Sequence, residues 1–424
     1  MQPLQEDEVI RLPLPTERPH MKALGSGDHN VPAACANSNC DGEGIWFHIK
    51  SPVTSYFDAS FACWVVPIPE GGPYHITAFE PHVTKPPVGA GWPRDLEEYG
   101  LAHHMDVFLC AGDPSTASMP WLMCAADRFF CTYYVGGDNG TRVASFMTMA
   151  FSYDKGAFST YHLPPDHGIL IGEGLAYSTI IFQVHYLTPP GENSAAELIA
   201  KQWVDNSMVV LHLTRRLRTH NVGIFSWSDR RGGKNRLAIP HTDTDNGGVM
   251  NGGRADGDTT KGRYEHVTRC DPQCLRKMKI GHDLRKFGKV RLVSVKLHAH
   301  SHATKMQLVH FSSDGTRTEM LTLDPFCGYG ECQQFHNIPA SRPPLRAGST
   351  LEVHCWFDNQ GQNVIHYGVT NGGEMCAKIL MYSPTDTAPF SWSPDEHGMA
   401  TPSSSTTEKK KNAKGGGMSW SDFG

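Results

Sequence analysis

The stretch KVRLVSVKLHAHSH, residues 289–302, joins a strand pattern to a metal-ligand pattern. Residues 290–295 are mostly apolar and β-branched, which is typical of a strand buried in a sheet. The alternation His298-Ala299-His300-Ser301-His302 follows. Because successive side chains of a strand point to opposite faces, the three imidazoles are expected on one face, close enough to share a metal ion. Three surface histidines on an edge strand are the alternative interpretation.

The composition of the whole chain agrees with a protein made of strands. The 424 residues include 42 Gly, 29 Pro and 9 Trp, and 39% are hydrophobic. Gly and Pro interrupt helices and Trp favours pleated surfaces, so many short strands are expected. Runs such as 61–66 and 74–79 are separated by turn clusters such as 69–73. This spacing predicts an all-β protein with β-sandwich or jelly-roll domains.

The length predicts two domains of about 150 residues each, with tails. The further strands are predicted at 104–110, 145–153, 178–187, 208–214, 289–299, 305–311, 351–357, 364–369 and 377–382. Residues 241–262, rich in Asp, Gly, Asn and Thr, are expected to form a long mobile loop. The predicted organisation is an irregular lead-in at 1–54, a first sandwich at 55–217, a second at 218–383 and a disordered tail at 384–424.

Charge and hydropathy exclude two classes of partner. The net charge is −5 and no extended basic stripe exists, so nucleic acid is not expected as a ligand. No apolar run reaches the roughly 18 to 20 residues that span a bilayer, and residues 1–17 lack the regions of a signal peptide. Twelve cysteines and the sequon at Asn139 nevertheless favour a secreted or secretory-pathway protein with disulfide bonds. Metal thiolates are the competing explanation for the closely spaced cysteines.

Three further sequence pieces contain metal-ligand residues. The first two are His103-His104-Met105 and His185 within a strand pattern. Neighbouring residues of a regular strand point to opposite faces, so His103 and His104 can bind one ion only if the strand bulges or ends there. The third piece is Met375, after a pair of glycines. Two imidazoles and one thioether favour copper over zinc, so His298, His300 and Met375 predict a redox copper site.

Together these motifs identify a family resemblance. HHMDVFLC (103–110), FQVHY (182–186), LHAH (297–300) and EMC (374–376) resemble, in this order, the copper type II, ascorbate-dependent monooxygenases. This family includes dopamine beta-monooxygenase and peptidylglycine alpha-hydroxylating monooxygenase. YHITAFEPHVTK (74–85), RRLRTHNVGIF (215–225) and the pair Cys270 and Cys274 bring the chain nearer to the dopamine beta-monooxygenase branch.

The resemblance implies two jelly-roll sandwiches that each hold one copper ion and face each other across an open cleft. By matching position, His103, His104 and His185 would bind the electron-transfer copper. His298, His300 and Met375 would bind the copper that activates O₂. The implied reaction is hydroxylation of a C–H bond, with ascorbate as the electron donor. His302 lies outside the family's ligand set, so it is expected to support the site or to face solvent.

The resemblance also implies three disulfide bonds: Cys63 with Cys124, Cys110 with Cys131, and Cys355 with Cys376. The last bond would anchor the residue next to the Met ligand. Among the other six cysteines, pairing of Cys270 and Cys274 with Cys327 and Cys332 is favoured, because in the related branch the partners of such a pair lie beyond the EMC motif, where this chain has no cysteine. A zinc site formed by these four cysteines is the alternative.

The positions that face the substrate match the family less well. Peptide-acting members hold the substrate carboxylate with an Arg, an Asn and a Tyr at the positions of Lys296, Ala377 and Ile379. Lys lacks the bidentate fork of Arg, and Ala and Ile donate no hydrogen bond. Gln183 stands where the amine-acting branch has an acid, and Phe61 where peptide hydroxylases have a Tyr. Gln183 and Lys296 therefore remain candidates for positioning the substrate or ordered water.

The sequence accordingly predicts a copper-dependent monooxygenase with two copper ions, O₂ as co-substrate and a small amine-like or peptide substrate. A secreted copper-binding protein without turnover is the second hypothesis. A zinc-dependent hydrolase is the third, and it is disfavoured because Met375 is a poor zinc ligand and no carboxylate beside the HxH motif could act as a base.

Overall fold

Strands dominate the computed structural model of the protein. The residues that it describes are 59–66, 68, 72–85, 88–89, 94–100, 102–114, 130–135, 141–146, 148–187, 207–227, 237–239, 263–328, 330–359, 363–368 and 373–388. The predicted lead-in at 1–54, the loop at 241–262 and most of the tail after residue 388 lie outside these ranges. The all-β fold class is confirmed, whereas the jelly-roll topology stays a prediction.

The described strands form an N-terminal part, up to Asn221, and a C-terminal part, from Gly223. The strands of the N-terminal part are β1 (Ala59–Val66), β2 (Tyr74–His82), β3 (Ala102–Cys110), β4 (Asp113–Pro114), β5 (Phe130–Val135), β6 (Thr141–Phe146), β7 (Thr148–Asp154), β8 (Tyr161–His162), β9 (His167–Ile171), β10 (Thr179–Leu187), β11 (Met208–Thr214) and β12 (His220–Asn221). A short helix, α1 (Arg94–Tyr99), precedes β3.

The strands of the C-terminal part are β13 (Gly223–Trp227), β14 (Ala238–Ile239), β15 (Arg263–Cys270), β16 (Lys289–His298), β17 (Ala303–Phe311), β18 (Arg317–Leu323), β19 (His336–Asn337), β20 (Leu345–Arg346), β21 (Thr350–Asp358), β22 (Ile365–His366) and β23 (Ala377–Ser383). Two helices, α2 (Pro272–Arg276) and α3 (Lys279–Phe287), lie between β15 and β16, and a 3-10 turn spans Glu331–Gln333.

Each part contains two larger sheets that share one apolar core. In the N-terminal part the sheet β1-β10-β3-β7 lies over the sheet β11-β2-β9-β12, and side chains such as Val107, Ile76 and Leu211 form one cluster. In the C-terminal part the sheet β13-β23-β16-β19 lies over β15-β21-β17-β18, with Leu297 and Val353 in a second cluster. The smaller sheets are β4-β5-β6 and β14-β22.

The sheet β13-β23-β16-β19 is buried on both faces, which explains the nearly continuous apolar run of β16. Val295 and Leu297 point into the C-terminal core, whereas Val293 belongs to the N-terminal core. From the same sheet, Ile379 and Met381 also join the N-terminal core. The two parts are therefore in apolar contact through this sheet.

Helix α3 is anchored to the end of the chain's last described strand. It ends at Gly288, whose left-handed conformation (φ 73°) provides the C-cap. The fully buried carboxylate of Asp283 accepts hydrogen bonds from the Tyr382 hydroxyl (2.8 Å), the Thr385 hydroxyl (2.6 Å) and the Asp386 amide (3.0 Å). The first residues of the predicted tail are therefore held against the C-terminal part.

The described cysteines confirm one expected disulfide bond and correct another expectation. Cys355 is bonded to Cys376, as the family resemblance implies. The expected cross-pairing of the other four C-terminal cysteines is wrong: Cys270 is bonded to Cys274, and Cys327 to Cys332. A zinc site of these four thiols is thereby contradicted as well. Cys110 is disulfide-bonded, but the side chains of Cys63, Cys124 and Cys131 lie outside the described residues.

Candidate metal centre

The first histidine set, defined here as His103, His104 and His185, lies where β3 and β10 pair. His185 is directly opposite His104, and one residue further Tyr186 is opposite Ala102. His103 is therefore the extra residue of a β-bulge, which confirms the distortion expected from the sequence. The bulge allows neighbouring imidazoles to approach the same point, because it breaks the strict alternation of faces.

Strand register also places a row of polar side chains around this set. On β3, β10 and β7, cross-strand partners share one face, so His104 lies between His185 and Asp154. One row further along, Asp106 lies between Gln183 and Ser152. The opposite face of these strands is apolar and faces the core. The amphipathic alternation of three strands thus places the polar groups together.

The three imidazoles of the first histidine set are in close contact. The ring centroids are 4.2 Å apart for His103 and His104, 5.3 Å for His103 and His185, and 5.5 Å for His104 and His185. One nitrogen atom from each ring lies within 4.8 Å of the other two. Small adjustments of the rings would bring these nitrogens to the roughly 2 Å ligand distance of a transition-metal ion.

The second histidine set, defined here as His298 and His300, lies at the end of β16 and just beyond it. The two ring centroids are 5.4 Å apart. His300 Nδ1 is 2.9 Å from the Gly373 carbonyl oxygen. A carbonyl can only accept a hydrogen bond, so Nδ1 carries the proton and Nε2 presents its lone pair. That Nε2 atom is buried and has no hydrogen-bond partner, as expected for a metal ligand.

A buried carboxylate holds the backbone around the second histidine set. Glu374 is fully buried and accepts hydrogen bonds from the backbone amides of His300, His302 (3.1 Å) and Met375 (2.8 Å). The segment after β16 is thereby tied to the segment that carries Met375. The neighbouring disulfide bond, Cys355 with Cys376, fixes the second of these segments to β21.

Gln333 orients the imidazole of His298. Its side-chain amide donates hydrogen bonds to the carbonyl oxygens of Ala299 (2.9 Å) and Gly328. The amide oxygen of Gln333 therefore faces His298 Nδ1, at 2.5 Å, and accepts its proton. Gln333 belongs to a turn that the Cys327–Cys332 bond closes. This leaves His298 Nε2 available to a metal ion.

The two histidine sets are adjacent in the structure. The ring centroids of His104 and His298 are 5.0 Å apart, and those of His103 and His300 are 6.2 Å apart. Nitrogen atoms of His104, His298 and His300 also lie within 4.8 Å of one another. The open cleft implied by the resemblance is thus wrong for this structure, because β7 and β16 bring the sets into contact.

Burial favours the neutral form of His103, His185 and His300, which is the form that binds metals. At His298, by contrast, burial is outweighed by Asp154, which raises the pKa of this imidazole. Burial, and then the neighbouring imidazoles, lower the pKa of His103 and of His185 well below the usual value. Burial and His298 lower the pKa of His300 to about 4. Neutral imidazoles with inward lone pairs fit a copper ion, since imidazole nitrogen is a preferred copper ligand.

The comparisons with known proteins point to the same chemistry. Residues 248–396, which include His298, His300 and Met375, match the model of the family "Copper type II ascorbate-dependent monooxygenase, C-terminal domain". The C-terminal part of the chain is therefore similar to the C-terminal domain of the copper type II, ascorbate-dependent monooxygenases. The first histidine set lies outside the matched residues, so its assignment depends on the motifs and the geometry.

One protein similar to this chain is "MOXD1 homolog 1" from Drosophila melanogaster. It is 24% identical over 335 residues, which are 77% of this chain but only 40% of the relative. The chain thus spans less than half the length of that relative.

Solved structures add no support. Those titled "Structure of infectious bursal disease virus Gx strain" and "Crystal structure of infectious bursal disease virus VP2 subviral particle" have TM-scores of 0.17 and 0.16, each at 10% identity. The first match covers 78% of this chain and 76% of the solved chain, and the second covers 81% and 75%. Scores this low carry no argument.

The other predicted site residues of the chain are buried or half-buried. Gln183 is buried on the face of β10 that carries His185. Lys296 is 1% exposed and forms an ion pair with Asp154. Met375 is half-buried beside Glu374, and the role of its thioether stays a prediction. His302 is half-buried and its Nδ1 lies 3.5 Å from Glu374.

Sequence reasoning missed three residues of the site: Asp154, Gln333 and Glu374. Glu374 belongs to the EMC motif, so its position beside Met375 was a usable signal. Asp154 is the last residue of the apolar strand β7. A single acidic residue is common at the end of a strand, so the sequence gives no sign that Asp154 belongs to a functional site. Gln333 lies 35 residues from His298 in the chain, and no local pattern connects them.

Among the described residues, no helix has both the length and the apolar character needed to cross a lipid bilayer. The described disulfide bonds fit an oxidising compartment.

Proposed function

We propose that the protein is a copper-dependent monooxygenase that hydroxylates a C–H bond of a small amine-like or peptide substrate, with O₂ as co-substrate and ascorbate as electron donor. The observation that carries the proposal is the meeting of five imidazoles from two parts of the chain, with the buried Nε2 of His300 lacking any hydrogen-bond partner. A purely structural cluster would leave that nitrogen desolvated without compensation, which is unfavourable.

Two different ligand sets follow from this arrangement. His103, His104 and His185 would hold one copper ion with nitrogen ligands alone. His298, His300 and Met375 would hold a second ion, and the thioether of Met375 favours Cu(I). When bound, the two ions would supply one-electron transfer and O₂ activation, which no side chain of the protein can supply.

The protein's own side chains orient these ligands and exclude water. Glu374 fixes the backbone of His300 and Met375, and Gln333 fixes the ring of His298. The nearly complete burial of His185 and His300 removes bulk solvent from the site. Exclusion of water protects reactive species from side reactions and strengthens electrostatic interactions.

The surroundings of Lys296 favour an amine-like substrate over a peptide with a terminal carboxylate. The ammonium group of Lys296 is buried, forms an ion pair with Asp154 and donates a hydrogen bond to the Ser152 carbonyl oxygen. A cation that is already paired has little charge left for a substrate carboxylate. Gln183, on the same polar face as His185, is the nearer candidate for positioning a substrate or ordered water.

A secreted copper-binding protein without turnover is the second candidate. It is favoured by the closure of the site, since His103, His185 and His300 are each buried and the two histidine sets are in contact. Secretion itself is part of the proposal, and the disulfide bonds support it.

Copper loading followed by oxygen uptake separates the two candidates. The full chain would be loaded with copper, dialysed and analysed for metal, and O₂ consumption would then be followed with ascorbate and a panel of phenylethylamines and glycine-terminated peptides. The proposal predicts two copper ions per chain and uptake that depends on one substrate class. His220→Ala, at an exposed histidine on β12, serves as the control for His300→Ala. Copper without substrate-dependent uptake would favour the second candidate, and zinc alone would contradict both.

A further inference from the structure

We infer that Asp154 is a positioning residue shared by both histidine sets: one buried carboxylate orients His104 of the first set and His298 of the second. The inference rests on the proposed function, because it assigns these two imidazoles to metal ions. It adds a residue from β7, outside the motifs that carry the ligands.

One oxygen atom of Asp154 faces both imidazoles. Oδ1 lies 2.6 Å from His104 Nδ1 and 3.0 Å from His298 Nδ1. A carboxylate oxygen has two lone pairs and can accept a hydrogen bond from each ring. The other oxygen, Oδ2, faces the ammonium group of Lys296. The three partners thus lie within ion-pair distance of a carboxylate that is only 2% exposed.

These contacts determine which nitrogen of each ring carries the proton. The side-chain neighbours of His298 Nδ1 are the oxygens of Gln333 and Asp154, and both of them accept hydrogen bonds. Nδ1 of His298 is therefore the donor, and Nδ1 of His104 faces the same carboxylate oxygen. In both rings the lone pair that binds a metal ion is then on Nε2.

Lys296 lowers the free-energy cost of burying the Asp154 carboxylate. An isolated buried charge is costly, and a pair of opposite charges reduces that cost. Lys296 and His298 are two residues apart on β16, so they point to the same face of the strand, towards β7. Asp154 therefore connects the two parts of the chain where the two histidine sets meet.

A purely structural ion pair is the alternative role for Asp154, and a double variant separates the two. Asp154→Leu with Lys296→Met removes both charges and replaces them with apolar groups, an exchange that often leaves stability unchanged or higher. Lys296→Met alone leaves the buried Asp154 carboxylate without its counter-charge, and its thermal unfolding measures what the ion pair contributes to stability. Asp106→Asn, one row away on the same polar face, is the matched control.

The experiment measures the Cu(I) affinity of both sites by competition with a chromophoric chelator, beside the thermal unfolding of the metal-free proteins. We expect the double variant to melt close to the wild type and to bind copper about 10- to 100-fold more weakly at both sites. The Asp106→Asn protein is expected to keep both affinities within about threefold, well short of the loss typical of a ligand-orienting partner. Unchanged affinity at both sites in the double variant would overturn the inference. If that variant does not fold, Asp154→Asn is measured in its place.

A measurement without copper keeps this inference separate from the proposed function. In metal-free protein labelled with ¹⁵N-histidine, the resonances of His104 and His298, assigned by substitution, are expected to show protonated Nδ1 and unprotonated Nε2. Neutral rings protonated on Nε2 and not on Nδ1 would contradict the role of Asp154 even if copper binds. Conversely, wild-type protein that shows the expected tautomers but binds no copper would contradict the proposed function alone.

Discussion

The first histidine set is positioned by strand pairing, whereas the second is positioned mainly by side chains. His104 and His185 are cross-strand partners within a four-stranded sheet, and a bulge brings His103 to the same point. His300 lies beyond the end of β16, where Glu374 and the Gly373 carbonyl hold it. The first set therefore depends on many backbone hydrogen bonds, and the second on a few groups whose removal should have local effects.

The largest expected effect comes from Glu374→Ala. Its loss leaves the amides of His300, His302 and Met375 without their acceptor, and each buried unsatisfied donor costs about 1–3 kcal/mol. We expect loss of one copper equivalent and a lower free energy of unfolding, measured by metal analysis and urea titration. Glu352→Ala, on β21 of the sheet β15-β21-β17-β18, is the control. Loss of both copper ions would break the distinction between the two sets.

Removal of the Cys355–Cys376 bond should have the next largest effect. Cys376→Ser releases the segment beside Met375 from β21, and loss of a native disulfide typically costs about 2–5 kcal/mol. Copper binding at the second site should weaken while the first site is retained. The Cys270→Ser, Cys274→Ser protein lacks the bond between the end of β15 and α2 and is the matched control. Equal copper affinities in the two variants would contradict the role of the 355–376 bond.

A smaller, purely local effect is expected from Gln333→Leu. The substitution removes the acceptor for His298 Nδ1 and leaves Asp154 as its remaining side-chain partner. The affinity of the second site for Cu(I) should fall about tenfold, as is usual for groups that orient a metal ligand. Chelator competition measures this change, and Gln307→Leu on β17 is the control. A weakened first site with an intact second site would show that the sets are assigned wrongly.

The smallest expected effect is that of His302→Ala. His302 is half-buried and near Glu374, and the family's ligand set is complete without it. The variant should retain both copper ions, whereas His300→Ala should lose one. The paired metal analyses show whether His302 is a metal ligand together with His298 and His300. Loss of one copper ion from both variants would make His302 a ligand.

The sequence predicted those features that depend on local pattern. The strand at 208–214 has the predicted bounds, and the bulge at His103 follows from two adjacent ligands on one strand. Helix α3 was not predicted, because charged residues interrupt its short apolar stripe. The pairing of Cys270 with Cys274 was predicted wrongly because it depends on the short helix Pro272–Arg276, whose turn brings the two Cα atoms to 5.1 Å, and the strand pattern does not predict this helix.

Contacts between distant parts of the chain could not be predicted from local pattern. Asp154 and Lys296 are 142 positions apart in the sequence, and neither belongs to a recognisable pair. The adjacency of the two histidine sets depends on apolar contacts such as Phe335 with Tyr161, whose rings are 4.7 Å apart. Such contacts follow from how the sheets pack and are absent from any short motif.

Copper stoichiometry of the wild type and of two single-site variants tests the central claim most directly. The wild-type chain should hold two copper ions after loading and dialysis, and the His185→Ala and His300→Ala proteins should each hold one. Far-UV circular dichroism would confirm that each variant is folded. A wild-type chain that holds no copper, or variants that each lose both ions, would contradict the assignment of two separate copper sites to the two histidine sets.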